Sequence, residues 1–142
     1  MHKLSINNQA GITLIELLVV VTVIAILATI ALPNYSDLLN RARRADAMHG
    51  LENIRLLQEK WRRNNTTYGT AANIRTADPW DSQEEHYTLN ITAGSNTGTE
   101  FTATATPRGS QLGDACGIFT VNQDGPVYGT PPTGADQDCW RD

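Results

Sequence analysis

The sequence predicts an α+β fold in which one long N-terminal helix, an apolar stem continued by an amphipathic half, packs on an antiparallel β-sheet. Three observations lead to it. Ile12 to Leu32 form an apolar run whose single charge is Glu16. Residues 34–63 repeat apolar side chains at steps of three and four. Beyond residue 86, short stretches alternate apolar and polar residues between turn formers. The expected organisation is a short polar segment over 1–11, the apolar helix over 12–33, its amphipathic continuation over 34–63, and a loop, sheet and cysteine-bounded tail over 64–142.

The apolar run is 21 residues long. At about 1.5 Å rise per residue, a helix of that length matches the roughly 30 Å hydrocarbon core of a bilayer. A secretory signal peptide differs: its apolar region is shorter and a small-residue cleavage site follows it. Here the small residue Gly11 precedes the run, and Pro33 and a polar, helix-prone stretch come after it. Cleavage before the run leaves the helix on the mature chain. A carboxylate inside a membrane helix costs about 2.5–3.5 kcal/mol on insertion scales, so Glu16 is read as functional and needs a cationic partner. A cut between Gly11 and Ile12 creates an α-amino group one helical turn from Glu16, or within reach of Glu16 in a neighbouring subunit. The plainer alternative leaves Glu16 at headgroup depth near the helix end.

Gly11, Ile12, Thr13, Leu14, Ile15 and Glu16, followed by the apolar run and Pro33, resemble the class III signal of type IV prepilins, usually G-F-T-L-I-E. The resemblance implies the type IV pilin fold, with residues 1–11 as a leader. It further implies scission of the Gly11–Ile12 bond by prepilin peptidase, N-methylation of Ile12 and a role for Glu16 in fibre assembly. A bend at Pro33 is implied too, consistent with the helical hydrogen bond that proline removes. Ile12 departs from the commoner phenylalanine. Farther along, RRADAMHGL, WRRNNTTYG and ATPRGSQLGDACGIFTVNQDG, with Cys139 and Trp140 after them, resemble the minor pilins called PilE in some type IV pilus systems. The partners so implied are prepilin peptidase, other major and minor pilins, the inner-membrane assembly machinery and the membrane itself, through one helix. The implied location is the bacterial inner membrane, with the C-terminal domain outside, and then an extracellular fibre associated with adhesion or twitching motility.

Composition agrees with a small exported domain. The net charge is −4 and becomes one unit more negative when Lys3 leaves with the leader, so the chain is no general polyanion binder. The flanking charges oppose the expected topology, because Arg41, Arg43 and Arg44 follow the run while only Lys3 precedes it. The cleavage signature is the more specific signal and keeps the C-terminal side outside. Cys116 and Cys139, with 22 residues between them in the exported half, favour a disulfide worth roughly 3 kcal/mol by loop entropy; two free buried thiols are the alternative. The resemblance makes the segment between them the D-region of a pilin, exposed to neighbours.

In the amphipathic half, Tyr35, Leu38, Ala42, Ala45, Met48, Leu51, Ile54, Leu57 and Trp61 mark the expected buried face. Arg41, Arg44, Asp46, Glu52, Arg55, Glu59 and Arg62 mark a solvated one. Gly50 weakens the helix by roughly 1 kcal/mol relative to alanine, as a close helix-to-sheet contact would justify. Residues 64–86 read as a loop with one short turn of helix. HYTLNIT, EFTATATP and CGIFTVN then give three strands with one apolar face each, AGSNTG and NQDG give reversals, and PVYG a last short strand. The helix is the one element long enough to cover that face.

No catalytic pattern occurs. His2, His49 and His86 stand apart, with no G-x-S-x-G, phosphate-cradling loop or CxxC, so neither an enzyme nor a cofactor is expected. Asp78, Asp81, Glu84, Glu85 and His86 lack a fixed ligand spacing, and no metal is expected there. Two rivals to a pilus subunit remain. A type II secretion pseudopilin would draw calcium ligands from Asp124, Asp136 and Asp138. A DNA-receptor pilin of natural transformation needs a basic stripe, yet beyond residue 86 only Arg108 and Arg141 are positive, leaving Arg62, Arg63 and Arg75 for phosphates. Nucleic acid is therefore not the expected partner.

Overall fold

The computed structural model describes residues 11–74, 80–91, 98–131 and 133–141, with the backbone alone at 31–34. Residues 1–10 of the leader, Arg75, Asp78 and most of AGSNTG lie outside these residues, as does the side chain of Pro33, where a bend is expected. The chain divides into two compact units, one through Asp37 and one from Leu38 onward.

Helix α1 spans Leu14–Arg62. In the first unit its large apolar side chains, with Ile12 before it, are 50 to 82% exposed. Two of the run's three hydroxyls are satisfied by carbonyls of the helix itself: Thr22 Oγ1 donates to the Leu18 carbonyl at 2.8 Å and Thr29 Oγ1 to that of Ile26 at 2.7 Å. That suits an apolar surrounding, where no water completes a polar group. No single helix among the described residues is long and apolar enough to cross a membrane; Leu14–Ile30 and Tyr35–Arg62 meet the requirement of length and composition together. The expected span begins two residues late, because Ile12 and Thr13 precede the first helical turn.

In the second unit, α1 lies against a five-stranded antiparallel meander, with neighbours in the order β1 (Trp80–Asp81), β2 (Tyr87–Ile91), β3 (Thr102–Pro107), β4 (Phe119–Asn122) and β5 (Gly125–Val127). The register pairs Leu89 with Ala105 and Ala103 with Val121, so one face stays apolar across strands. Alternation holds as expected. Tyr87, Leu89, Ile91, Ala103, Ala105, Phe119 and Val121 are buried, and they form the core with Ala47, Leu51 and Ile54 of α1. Two elements escaped the sequence reading: β1, inside the expected loop, and a 3₁₀ turn at Gly109–Gly113. The expected short turn of helix is α2, Ala71–Ile74.

The buried stripe of α1 keeps Leu51 and Ile54 of the expected one and departs from it on either side. Tyr35 and Leu38 are 61 and 64% exposed, whereas Arg44, Ala47, Leu51, Ile54 and Gln58 face inward. Arg44 and Asp46, expected in solvent, are both buried. Their partners lie far away in sequence, and local periodicity carries no trace of them. Gly50 sits where the helix passes close to β2: a Cβ there would lie 2.8 Å from Leu89 Cδ1.

Candidate functional site

At the start of the apolar helix, Gly11 and Ile12 are exposed and precede the first helical turn, so the expected scissile bond lies outside the helix. Thr13 caps the helix. Its Oγ1 accepts the backbone N–H of Glu16 at 3.2 Å, and its carbonyl accepts that of Leu17 at 3.2 Å. Glu16 is the acidic residue of the first turn, where exposed N–H groups and the positive end of the helix dipole favour a carboxylate. Thr13-Leu14-Ile15-Glu16 thus has the spacing of a capping box, a signal legible in the sequence that the membrane reading of Glu16 overlooked. The carboxylate itself is exposed and points to no partner within the described residues.

In the second unit, three polar devices fasten the loops to α1. Arg44 grips Asp114, just beyond the 3₁₀ turn, through Nε–Oδ2 at 2.9 Å and Nη2–Oδ1 at 2.6 Å. Gln111 Nε2 joins them, donating to Asp114 Oδ2 at 3.0 Å and to the Asn40 carbonyl at 3.2 Å. Burial pushes the Asp114 carboxyl up, but the hydrogen bond and charge of Arg44 outweigh it and hold the group below the usual carboxylate range. Close by, burial pushes the Tyr87 phenol up to about 12.

Asp46 fastens the β1–β2 turn. Its carboxylate accepts the Ser82 hydroxyl at 2.5 Å and the backbone N–H groups of Glu84 and His86 at 3.1 and 3.2 Å. Farther along the helix, Gln58 is fully buried and exchanges two 2.8 Å hydrogen bonds with the backbone of Gly69. This pins the connection that leaves α1.

The tail is tied by the Cys116–Cys139 disulfide, with Cα atoms 5.9 Å apart. Trp140 stands edge-on to Phe119 at 5.1 Å between ring centroids. Cys139 N–H bonds Asp136 Oδ1 at 3.0 Å, Asp138 faces Arg141 at 3.8 Å, and Asp124 accepts from Gln123 at 3.0 Å. Among the described residues, no three His, Cys, Asp or Glu side chains come together as a metal site would require. Asp81 pairs with Arg108, and His86 lies 3.8 Å from Glu84. Of the arginines weighed for phosphate, Arg62 is engaged: it bonds the Thr66 carbonyl and stacks over the Tyr68 ring at 4.9 Å.

Known proteins match along the same lines. Residues 6–32 match the prokaryotic N-terminal methylation motif, and residues 33–120 match the family described as type IV minor pilin ComP, DNA uptake sequence receptor. The type IV major pilin protein PilE1 of Neisseria gonorrhoeae is 39% identical over 71 residues, 45% of this chain and 43% of the relative. A fimbrial protein of Moraxella nonliquefaciens is 54% identical over 41 residues, 29% of this chain and 27% of the relative. A fimbrial protein of Neisseria meningitidis serogroup A is 38% identical over 71 residues, 45% of this chain and 42% of the relative. The matched stretches thus span less than half the length of these relatives. The family match covers more than half of the 142 residues, and the helix-on-meander architecture agrees with it: the chain belongs to the type IV minor pilins.

Proposed function

We propose that this protein is a minor structural subunit of a type IV pilus. In this reading it is made as a prepilin, cut by prepilin peptidase between Gly11 and Ile12, and N-methylated at Ile12. The stem holds it in the inner membrane with the second unit outside until the assembly machinery passes it into a fibre of packed stems. The observation that carries the reading is the contrast between the two units. From Leu14 to Ile30 the helix exposes its large apolar side chains, while the second unit buries a complete core of its own. A surface of that kind needs lipid or other stems around it. Glu16, in the first turn, is then the group matched to the new α-amino terminus of a neighbour, and a misplaced subunit leaves it unpaired.

Intact mass measurement on fibres sheared from cells, before and after reduction, tests the proposal. A chain beginning at methylated Ile12, two daltons lighter when oxidised, is the expected result. A chain beginning at Met1 and confined to the membrane fraction excludes it.

The family description favours a second reading, in which this pilin also captures DNA. The electrostatics favour it less, since Arg44, Arg62 and Arg108 are engaged within the chain. A gel shift of the full chain with duplex DNA at rising salt separates the two readings. Retention lost steeply with salt supports capture, and no shift at low salt excludes it.

A further inference from the structure

Where α1 ends, a cavity of about 450 Å³ opens between the last turn, the residues just after it and α2. Leu57, Trp61 and Ile74 supply an apolar wall; Lys60, Asn64, Asn65 and Asn73 supply the polar groups. Its size suits one small ring with substituents.

The polar groups are held with hydrogen-bonding capacity to spare. Asn65 Nδ2 donates to the Trp61 carbonyl at 2.9 Å, which fixes the amide and leaves its Oδ1 available. Asn73 Oδ1 accepts from Thr70 N–H at 2.9 Å and from its hydroxyl at 2.8 Å, which leaves Nδ2 available. The Lys60 ammonium and the Asn64 amide are exposed and make no side-chain hydrogen bond or ion pair among the described residues. The cavity therefore combines an aromatic and aliphatic wall with amide donors and acceptors and one cation.

That combination selects among ligand classes. A purely apolar ligand strands the amides. A polyanion needs a row of cations, and Lys60 is the one cation in the lining; the adjacent Arg62 is committed to the Thr66 carbonyl and the Tyr68 ring. A sugar ring uses everything present. Its C–H face packs on the indole and aliphatic wall, its hydroxyls both donate and accept, and one carboxylate answers Lys60. We propose that this cavity binds an acidic saccharide, a pyranose with a single carboxylate such as a uronic acid, and thereby gives the subunit a glycan-binding function separate from fibre assembly.

Saturation-transfer NMR on the full chain in detergent micelles tests this, with methyl β-glucuronide as the probe and methyl β-glucoside as the uncharged control. The expected result is transfer to the glucuronide ring protons and a weaker response from the glucoside. Lys60→Gln should raise the dissociation constant about ten-fold, the effect of losing one charge-assisted hydrogen bond, and Asn64→Ala should also weaken binding. Both side chains are exposed, so an unchanged melting temperature accompanies the loss. The proposal fails if the glucuronide receives no saturation, or if neither variant changes its binding. It also fails if an oligothymidylate displaces the sugar and binds more tightly, which would assign the cavity to nucleic acid.

Discussion

Arg44 and Asp114, 70 residues apart in sequence, meet in a bidentate pair at 2.6 and 2.9 Å, both side chains almost wholly out of solvent. The pair joins α1 to the segment that leads into Cys116, so the helix and the disulfide-tied tail share one anchor. Removing one member leaves the other charge buried alone. Arg44→Met and Asp114→Ala should therefore each destabilise the protein by about 3–5 kcal/mol, and replacing both by apolar residues should cost less than either. The pH dependence follows from the lowered Asp114 pKa. A depressed carboxyl contributes stability above its unfolded value, near 3.9, and loses it as pH falls through the lower folded value. Denaturant titrations from pH 6 to pH 2 should show that acid-side loss in the wild type and a shallower one in Arg44→Met.

Asp46 gathers three donors from the β1–β2 turn. Asp46→Ala leaves them without their acceptor at a partly buried site, a loss of at least about 1–3 kcal/mol. Amide hydrogen exchange should quicken at Glu84 and His86 before it does at the centre of β3. Uniform protection in the variant would show that the turn holds without the helix carboxylate.

Gly50→Ala sets helix propensity against packing. Alanine gains about 1 kcal/mol in a helix interior, but its methyl would fall 2.8 Å from Leu89 Cδ1, a side chain only 2% exposed. Overpacking of this kind costs about 1–3 kcal/mol, so the variant should be less stable than wild type. Adding Leu89→Val should recover part of the loss in thermal unfolding; no recovery would locate the clash elsewhere.

The Cys116–Cys139 bond encloses β4 and β5. Cys116→Ser with Cys139→Ser should lower stability by about 2–5 kcal/mol. It should also free Trp140 from Phe119, seen as a change in tryptophan fluorescence upon reduction of the wild type.

Glu16→Val should leave membrane insertion unchanged and reduce incorporation of the subunit into sheared fibres. Glu16→Gln, which keeps the shape but not the charge, should behave in the same way if matching to an α-amino group is the carboxylate's role. Normal incorporation of both variants would assign Glu16 to helix capping alone.

Much of this molecule follows from the sequence by itself, because the relevant physics is local. The apolar run after Gly11 fixes an exposed stem, and the period-two stretches at Tyr87–Ile91 and Phe101–Ala105 fix strands with one buried face. Gly50 announced a close contact, and the cysteine count announced the disulfide. Tertiary structure alone decided which polar side chains of α1 turn inward beside Leu51 and Ile54. Periodicity ranks residues by polarity, and on that ranking Arg44, Asp46 and Gln58 belong in water. Their burial depends on Asp114, Ser82 and Gly69, none of them a neighbour in the helix. The cavity at Lys60 and Trp61 has the same origin: its far wall, Asn73 and Ile74, is supplied by chain that folds back beyond Gly69, where Gln58 holds the backbone. A buried polar group is tolerable only once its partner is in place, and the position of a distant partner is written in the packing of the whole domain rather than in any local pattern.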